Sequence, residues 1–285
     1  VKPEYLTSAA LDKFIDAAMS EDIGPGDFST LSSIPQNAIK KAKLLVKDQG
    51  IIAGIELAQY IFKRLDPTLK MTVHIQDGSQ VSNGDVAFEV EGPARTILTA
   101  ERLVLNCMQR MSGIATLSKQ YAQKLEGTNT KILDTRKTTP NARIIEKWAV
   151  HIGGGTNHRF GLYDLVMLKD NHVDYAGGID QAIEKSVSYL KANELDLKIE
   201  VETRNLLEVK EVLKNGKADI IMLDNMSNDT MQEAVALIDG RMTTEASGGI
   251  TLERIESIAA CGVDFISVGA LTHSYKSLDM SLKAF

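Results

Sequence analysis

The residues best suited to chemistry fall into three sets. Arg136, Lys137 and Lys169 are basic, and so are His158 and Arg159 of the segment GGGTNHR. Arginine donates two parallel hydrogen bonds to a carboxylate or phosphate, so this cluster fits a small, multiply anionic ligand. Glu202 and Asp224 are acidic. Beside an anionic ligand, two carboxylates fit a bridging Mg²⁺ or hydrogen bonds to sugar hydroxyls. Ser247, Gly248, Gly249 and Gly269 form the third set, since glycine lets backbone N–H groups approach a phosphate closely. Each has an ordinary reading when taken singly. Arg136-Lys137 reads as a solvated loop pair, Glu202 as half of a surface ion pair, GGGTNHR as a flexible turn and Gly248-Gly249 as a helix-entry loop. His151 and His172 read as structural.

Position in the chain favours the chemical reading. From residue 131 to 275, short apolar runs alternate with amphipathic segments: KILD, LVMLK, LKIEVE, DIIMLD, TEA and DFISVG. This rhythm predicts parallel strands joined by crossover helices and buried on both faces. Functional groups in such folds gather at the carboxyl ends of the strands. The runs end on Asp134-Thr135-Arg136-Lys137, Lys169-Asp170-Asn171-His172, Glu202, Asp224-Asn225, Ser247-Gly248-Gly249 and Gly269. Six polar ends in succession, with both signs of charge, read as an active site. An eight-unit barrel takes about 250 residues. Only 285 − 130 = 155 residues follow residue 130, so an incomplete barrel fits better, with an open doubly wound sheet as the alternative. Thr139-Pro140 reads as the N-cap and first residue of a helix. Glu146, Lys147 and Trp148 on that helix read as packing and surface.

Residues 1–130 read as mixed α and β. Leu11, Phe14, Ile15 and Ala18 have helical spacing behind a Ser8 cap. Met71, Val73 and Ile75 alternate like a half-buried strand, and Asp77-Gly78 and Asn83-Gly84 mark turns. A long helix starts near Ala94, with Ile97, Leu98, Leu105, Met108, Met111 and Ile114 as its core stripe.

Composition narrows the function classes. The chain has 285 residues, 44% hydrophobic but only 5% aromatic, so its core must be aliphatic. Its net charge of −6 argues against general nucleic-acid binding. Cys107 and Cys261 are too few for a disulfide framework or a cysteine zinc site, and predict a reduced, cytoplasmic setting. No apolar run is long enough to cross a membrane, and VKPEYLTSAALDKF does not read as a secretory signal. P-loop, dinucleotide-fingerprint, nucleophile-elbow and zinc-helix motifs are absent.

The stretch DTRKTTPNARIIEKWAVHIGGGTNHRFGLYDLVMLKDNH resembles the quinolinate phosphoribosyltransferase family, as do EDIGPGDFST, GPARTILTAERLVLNCMQRMSGIAT, IEVE, IMLDNMS, EASGGIT and ISVGALTHS in that order. The likeness covers nearly the whole chain. It implies an N-terminal α/β sandwich domain over residues 1–112, an incomplete α/β barrel of parallel strands over 113–272, and a segment 273–285 that returns to the first domain. It implies phosphoribosyl transfer from phosphoribosyl pyrophosphate to quinolinate with loss of CO₂, giving nicotinate mononucleotide in NAD biosynthesis. By this resemblance the quinolinate clamp is Arg102, Arg136, His158, Arg159 and Lys169. Lys137 serves the phosphoribosyl pyrophosphate side, and Thr135 also binds substrate. Lys137, Lys169, Glu202 and Asp224 carry catalysis. Mg²⁺ is the implied cofactor, met by Glu202 and Asp224 directly or only through the substrate. Ser247, Gly248 and Gly249, with Val268, Gly269 and Ala270, form the phosphate loops. The implied assembly is a homodimer, or a larger oligomer built from it, in which Arg102 reaches the neighbour's site; neither nucleic acid nor membrane is a partner. Three rivals are weighed: a molybdenum-locus relative with another aromatic acceptor, a Schiff-base aldolase using Lys169, and a non-catalytic anion binder.

Overall fold

A computed structural model describes residues 2–285. In chain order the elements are α1 (Ser8–Ile23), α2 (Phe28–Ser33), β1 (Ile39–Val46), β2 (Gly50–Ile51), α3 (Ile55–Leu65), β3 (Lys70–Val73), β4 (Gln80–Val81), β5 (Val86–Pro93), α4 (Ala94–Lys124), β6 (Lys131–Leu133) and α5 (Arg143–Ile152). They continue with β7 (Val166–Leu168), α6 (Asp170–Ala176), α7 (Ile179–Ala192), β8 (Ile199–Thr203), α8 (Leu206–Asn215), β9 (Ile220–Asp224), α9 (Asn228–Ile238), β10 (Thr243–Ser247), α10 (Ile255–Ala259), β11 (Phe265–Ser267), α11 (Ala270–His273) and β12 (Met280–Ala284). The chain forms two compact units. One holds the chain up to Lys119, Thr138–Gly154 and Leu271–Phe285; the other holds Gln120–Lys137 and Gly155–Ala270.

The first unit is built on an antiparallel sheet in the order β12-β1-β5-β3. The last strand of the chain closes its edge, with Leu44 of β1 facing Leu282 on one side and Phe88 on the other. Burial of Leu44, Phe62 and Phe88 makes this aliphatic and aromatic layer the core, and Phe62 of α3 meets Phe88 edge-on at 6.1 Å. The Asp77-Gly78 turn does more than reverse the chain. The Asp77 carboxylate accepts the N–H groups of Ile55 and Glu56 at 2.8 and 3.1 Å, satisfying the first turn of α3. Helix α4 starts at Ala94 as expected and buries Ile97, Leu105, Met108, Met111 and Ile114. Leu98, read as part of that stripe, is 43% exposed, because it sits one residue round the helix from Ile97.

Three local expectations are corrected. The N-cap of α1 is Thr7, whose hydroxyl accepts the Ala10 N–H, and Ser8 is the first helical residue. Ile75 lies beyond the end of β3. Thr139-Pro140 does not open α5, which begins at Arg143. Asn141 takes φ 64°, left-handed backbone that no helix start accepts, and the Thr139 N–H points to Glu146 at 3.2 Å. Glu146 and Lys147 are not surface residues: both are fully buried. Arg110 compensates Glu146, donating from Nε and Nη2 at 2.8 and 2.5 Å, and stacks over Tyr275.

The second unit is a six-stranded parallel sheet in the order β6-β11-β10-β9-β8-β7. First strand beside last strand is the order of a barrel, and the open seam falls between β6 and β7. A single parallel bridge, Leu133 to Thr156, extends the β6 edge. The six strands are the six apolar runs read from the sequence. Residues paired across parallel strands, or two apart along one strand, share a face. Pairings Met167↔Glu200, Glu202↔Met222, Glu245↔Met222 and Ser247↔Asp224 therefore put these residues on one face. Val201, Ile221, Leu223 and Ala246, all buried, occupy the other.

Replacing Glu146 by Ala leaves the Thr139 N–H without its acceptor and Arg110 without its carboxylate partner, with only the Thr139 hydroxyl still accepting from the guanidinium. It should lower the unfolding free energy by about 2–4 kcal/mol, read as a lower urea midpoint at unchanged slope. An unshifted midpoint would show that this pair contributes nothing net.

Candidate active site

All the residues singled out from the strand ends lie in the second unit, at or just beyond the carboxyl ends of its strands. After β6, the Lys137 N–H bonds Thr135 Oγ1 at 3.0 Å, a turn that leaves the Lys137 side chain exposed. Asp134, fully buried, ties this strand end to the GGGTNHR segment. Its Oδ1 accepts the His158 N–H at 2.8 Å and its Oδ2 accepts Asn157 Nδ2 at 2.6 Å. That tie gives the segment a fixed shape in place of a flexible turn.

Arg159 is half-buried and held by Leu165 O at 3.1 Å and Met167 Sδ at 3.6 Å. Burial lowers its pKa, and the like charge of Arg136 lowers it further. Two guanidinium groups kept this near each other in a partly desolvated place form a seat for an anion. At the end of β7, Lys169 Nζ binds Glu202 Oε2 of β8 at 2.8 Å. The Lys169 ammonium is thus ion-paired on a half-exposed stem, unlike the desolvated amine of a Schiff-base enzyme. His172 accepts the Lys169 N–H on Nδ1 at 3.0 Å and so helps start α6, the structural role expected of it.

Asp224 ends β9 beside Ser247 of β10. Its Oδ2 accepts Asn225 Nδ2 at 2.8 Å, while Asn225 itself, at φ 54°, donates its N–H to Ser247 O. Gly248 has φ 91°, and a side chain there would strike the Asn225 amide. The glycine is thus required both by its backbone and by the residue that braces Asp224. At the end of β11 the Val268 N–H is used by Leu133 O at 2.9 Å, and its side chain is buried. Val268 therefore shapes the loop that leads to Gly269 and Ala270 instead of offering its amide to a ligand. Arg102 is an exposed residue of α4 and belongs to the first unit.

Two residues escaped the sequence reading. Glu200 of β8 and Glu245 of β10 sit within runs read as apolar, yet both are buried, one layer inside the strand ends. His158 Nε2 lies 3.2 Å from a carboxylate oxygen of each. A charged residue two positions before Glu202 in a strand buried on both faces was the available signal, because buried charges come paired. Glu202 and Asp224 are hard oxygen donors on adjacent strands, suited to Mg²⁺. The His158, Glu200 and Glu245 ligand atoms, all within 4.8 Å of one another, are a second set with cation-binding spacing.

An open parallel barrel whose mouth gathers guanidinium, ammonium and carboxylate groups with two glycine-bearing loops defines a class of enzyme acting on small polyanions. The model of the quinolinate phosphoribosyl transferase C-terminal domain matches residues 114–283, and that of the N-terminal domain matches residues 27–112. A tobacco (Nicotiana tabacum) protein named quinolinate phosphoribosyltransferase (decarboxylating) 1b is 49% identical over 99% of this chain and 85% of its own length. A Bacillus subtilis protein named probable nicotinate-nucleotide pyrophosphorylase (carboxylating) is 42% identical over 95% of this chain and 92% of its own. The crystal structure of NadC from Streptococcus pyogenes superposes with a TM-score of 0.91 at 38% identity, covering 98% of this chain and 99% of that one. This chain belongs to the quinolinate phosphoribosyltransferase family.

Proposed function

We infer that this chain is a pentosyltransferase that moves the phosphoribosyl group of phosphoribosyl pyrophosphate onto quinolinate with decarboxylation, yielding nicotinate mononucleotide, pyrophosphate and CO₂. The single observation that carries this reading is the Arg136–Arg159 pair set among strand ends with Lys169, Glu202 and Asp224. Quinolinate is a dicarboxylate and its co-substrate carries three phosphate groups, so binding needs concentrated positive charge. The pyridine nitrogen attacks the anomeric carbon and the bond to pyrophosphate breaks. The ring nitrogen becomes cationic, the adjacent carboxylate leaves as CO₂, and the electron pair left at that carbon takes up a proton. No activated serine or cysteine is needed. Positioning and electrostatic stabilisation supply the catalysis.

The family resemblance, together with the strand-end positions, supports the following residue roles. Arg136 and Arg159, with Lys169, take the carboxylates of quinolinate, while His158, whose two ring nitrogens are both engaged within the protein, shapes that side of the site. Lys137, exposed beyond β6, meets the phosphates of the co-substrate, with Thr135 shaping the turn behind it. Glu202 and Asp224 face the sugar and stabilise positive charge as the anomeric bond breaks. Ser247, Gly248 and Gly249, with Gly269 and Ala270, receive the 5′-phosphate. Glu202 and Asp224 would hold Mg²⁺ directly or through the substrate, and the ion would supply charge neutralisation for pyrophosphate as the leaving group. The chain acts as a homodimer in which Arg102 completes the neighbour's quinolinate site. Its cytoplasmic placement rests on two buried cysteines that form no disulfide, although tobacco and Arabidopsis thaliana relatives carry mitochondrial or chloroplastic in their names; recovery from an organelle fraction would contradict it. No helix of the described residues is long and apolar enough to cross a membrane.

Incubation with quinolinate, phosphoribosyl pyrophosphate and Mg²⁺ should release CO₂ and nicotinate mononucleotide, and a chelator should suppress turnover. Absence of product at high enzyme concentration overturns the assignment. For the shared site, mixing inactive Arg102→Ala with inactive Lys169→Ala subunits should restore part of the activity. Failure to complement despite demonstrated subunit exchange would place Arg102 outside the neighbour's site.

A further inference from the structure

His158 is held from every side. Its side chain is 8% exposed, and those of Glu200 and Glu245 are 0% and 2%. Nε2 lies 3.2 Å from Glu200 Oε2 and 3.2 Å from Glu245 Oε2. Nδ1 accepts the Arg159 N–H at 2.6 Å, and the His158 N–H donates to Asp134 Oδ1. Two carboxylates in a dry interior repel each other and must be offset by a proton or a cation. Here the histidine ring stands between them, and no step of the phosphoribosyl transfer uses either one.

We propose that Glu200 and Glu245 are positioning residues, which grip the Nε2–H edge of His158 from inside the sheet and thereby fix the peptide that presents Arg159 to the acceptor acid. The inference rests on the reading of His158 and Arg159 as the quinolinate side of the site. The ring is the hinge of the arrangement: carboxylates of β8 and β10 hold one nitrogen, and the next residue's amide meets the other. If the ring turns, the His158–Arg159 peptide turns with it.

The carboxylates of Glu200 from β8 and Glu245 from β10 face the ring at Nε2, Asp134 beyond β6 meets the backbone N–H, and the Arg159 guanidinium lies on the same loop with Arg136 near it. Burial and the Arg159 amide oppose a charged ring; the two carboxylates outweigh them and raise the His158 pKa to about 9. A raised histidine pKa contributes stability that is complete below its ordinary value of 6.5 and is lost as pH rises through about 9.

The test is nitrogen-15 NMR of the histidine rings in the intact, substrate-free protein, joined to kinetics of Glu245→Gln and Glu200→Gln. The His158 ring should keep its second proton up to about pH 9 in the parent chain, and the proton that remains above it should sit on Nε2. In either variant the ring should titrate nearer 6.5. KM for quinolinate should rise about tenfold while KM for phosphoribosyl pyrophosphate stays unchanged, since a charge-assisted bond is lost on one side of the site only. A parent-chain ring that titrates near 6.5, or folded variants with an unchanged quinolinate KM, overturns the proposal. So does one equivalent of a divalent metal bound to His158, because the cluster would then be a metal site. The parent-chain spectrum needs no variant, so variants that fail to fold leave the proposal testable. An inert parent chain with the expected ring titration would instead count against the transferase reading.

Discussion

Everything at the mouth of the second unit depends on the register of its parallel strands. A parallel ladder brings neighbouring carboxyl ends to one side, and a shift of one residue turns every side chain to the opposite face. The pairings Ser247↔Asp224 and Glu202↔Met222 hold that register. On the reverse face Val201, Ile221, Leu223 and Ala246 are buried. A slipped strand would put carboxylates among those apolar residues, at a cost of several kcal/mol for each, comparable in sum to the stability of a typical domain. The hydrophobic layer outside the sheet is thus what points the charges inward.

Charge of one sign collected in one place must be supported from behind. Arg136 and Arg159 repel each other, and the like charges remain together because backbone and buried groups hold them. Leu165 O and Met167 Sδ fix the Arg159 guanidinium, and Asp134 fixes the loop that bears it. The net charge of −6 describes the chain as a whole, whereas the proposed pocket reverses that sign locally. Free energy held as like-charge repulsion is recovered when an anion binds, which is how a preorganised site gains affinity without moving.

Much of this was legible in the residues. The six apolar runs are the six strands, because fully buried parallel strands leave an unbroken apolar signature. Their polar last residues, from Lys169 to Ser247, stand where strand ends should stand. Glu200 and Glu245 were not legible as a site, because each is one charged letter inside an apolar run and its partner, His158, lies tens of residues away. Glu146 and Lys147 misled for the same reason: a charged residue on a helix reads as surface until its distant partner, here Arg110 for Glu146, is known. Helix caps failed through competition. Thr139 has the right type to start α5, but a glutamate within the helix takes its N–H and the start moves to Arg143. Resemblance to the family supplied what spacing alone left open, namely the two substrates and the role proposed for Arg102.

The most direct measurement of the central claim, that paired guanidinium groups at the strand ends recognise a dicarboxylate, is calorimetric titration with quinolinate and nicotinate in parallel. The account predicts that quinolinate binds at least about tenfold more tightly than nicotinate, the worth of one added charge-assisted bond, and that Arg136→Ala abolishes the difference without lowering the melting temperature. Equal affinities for the two acids, or a preference that survives in Arg136→Ala, would contradict it.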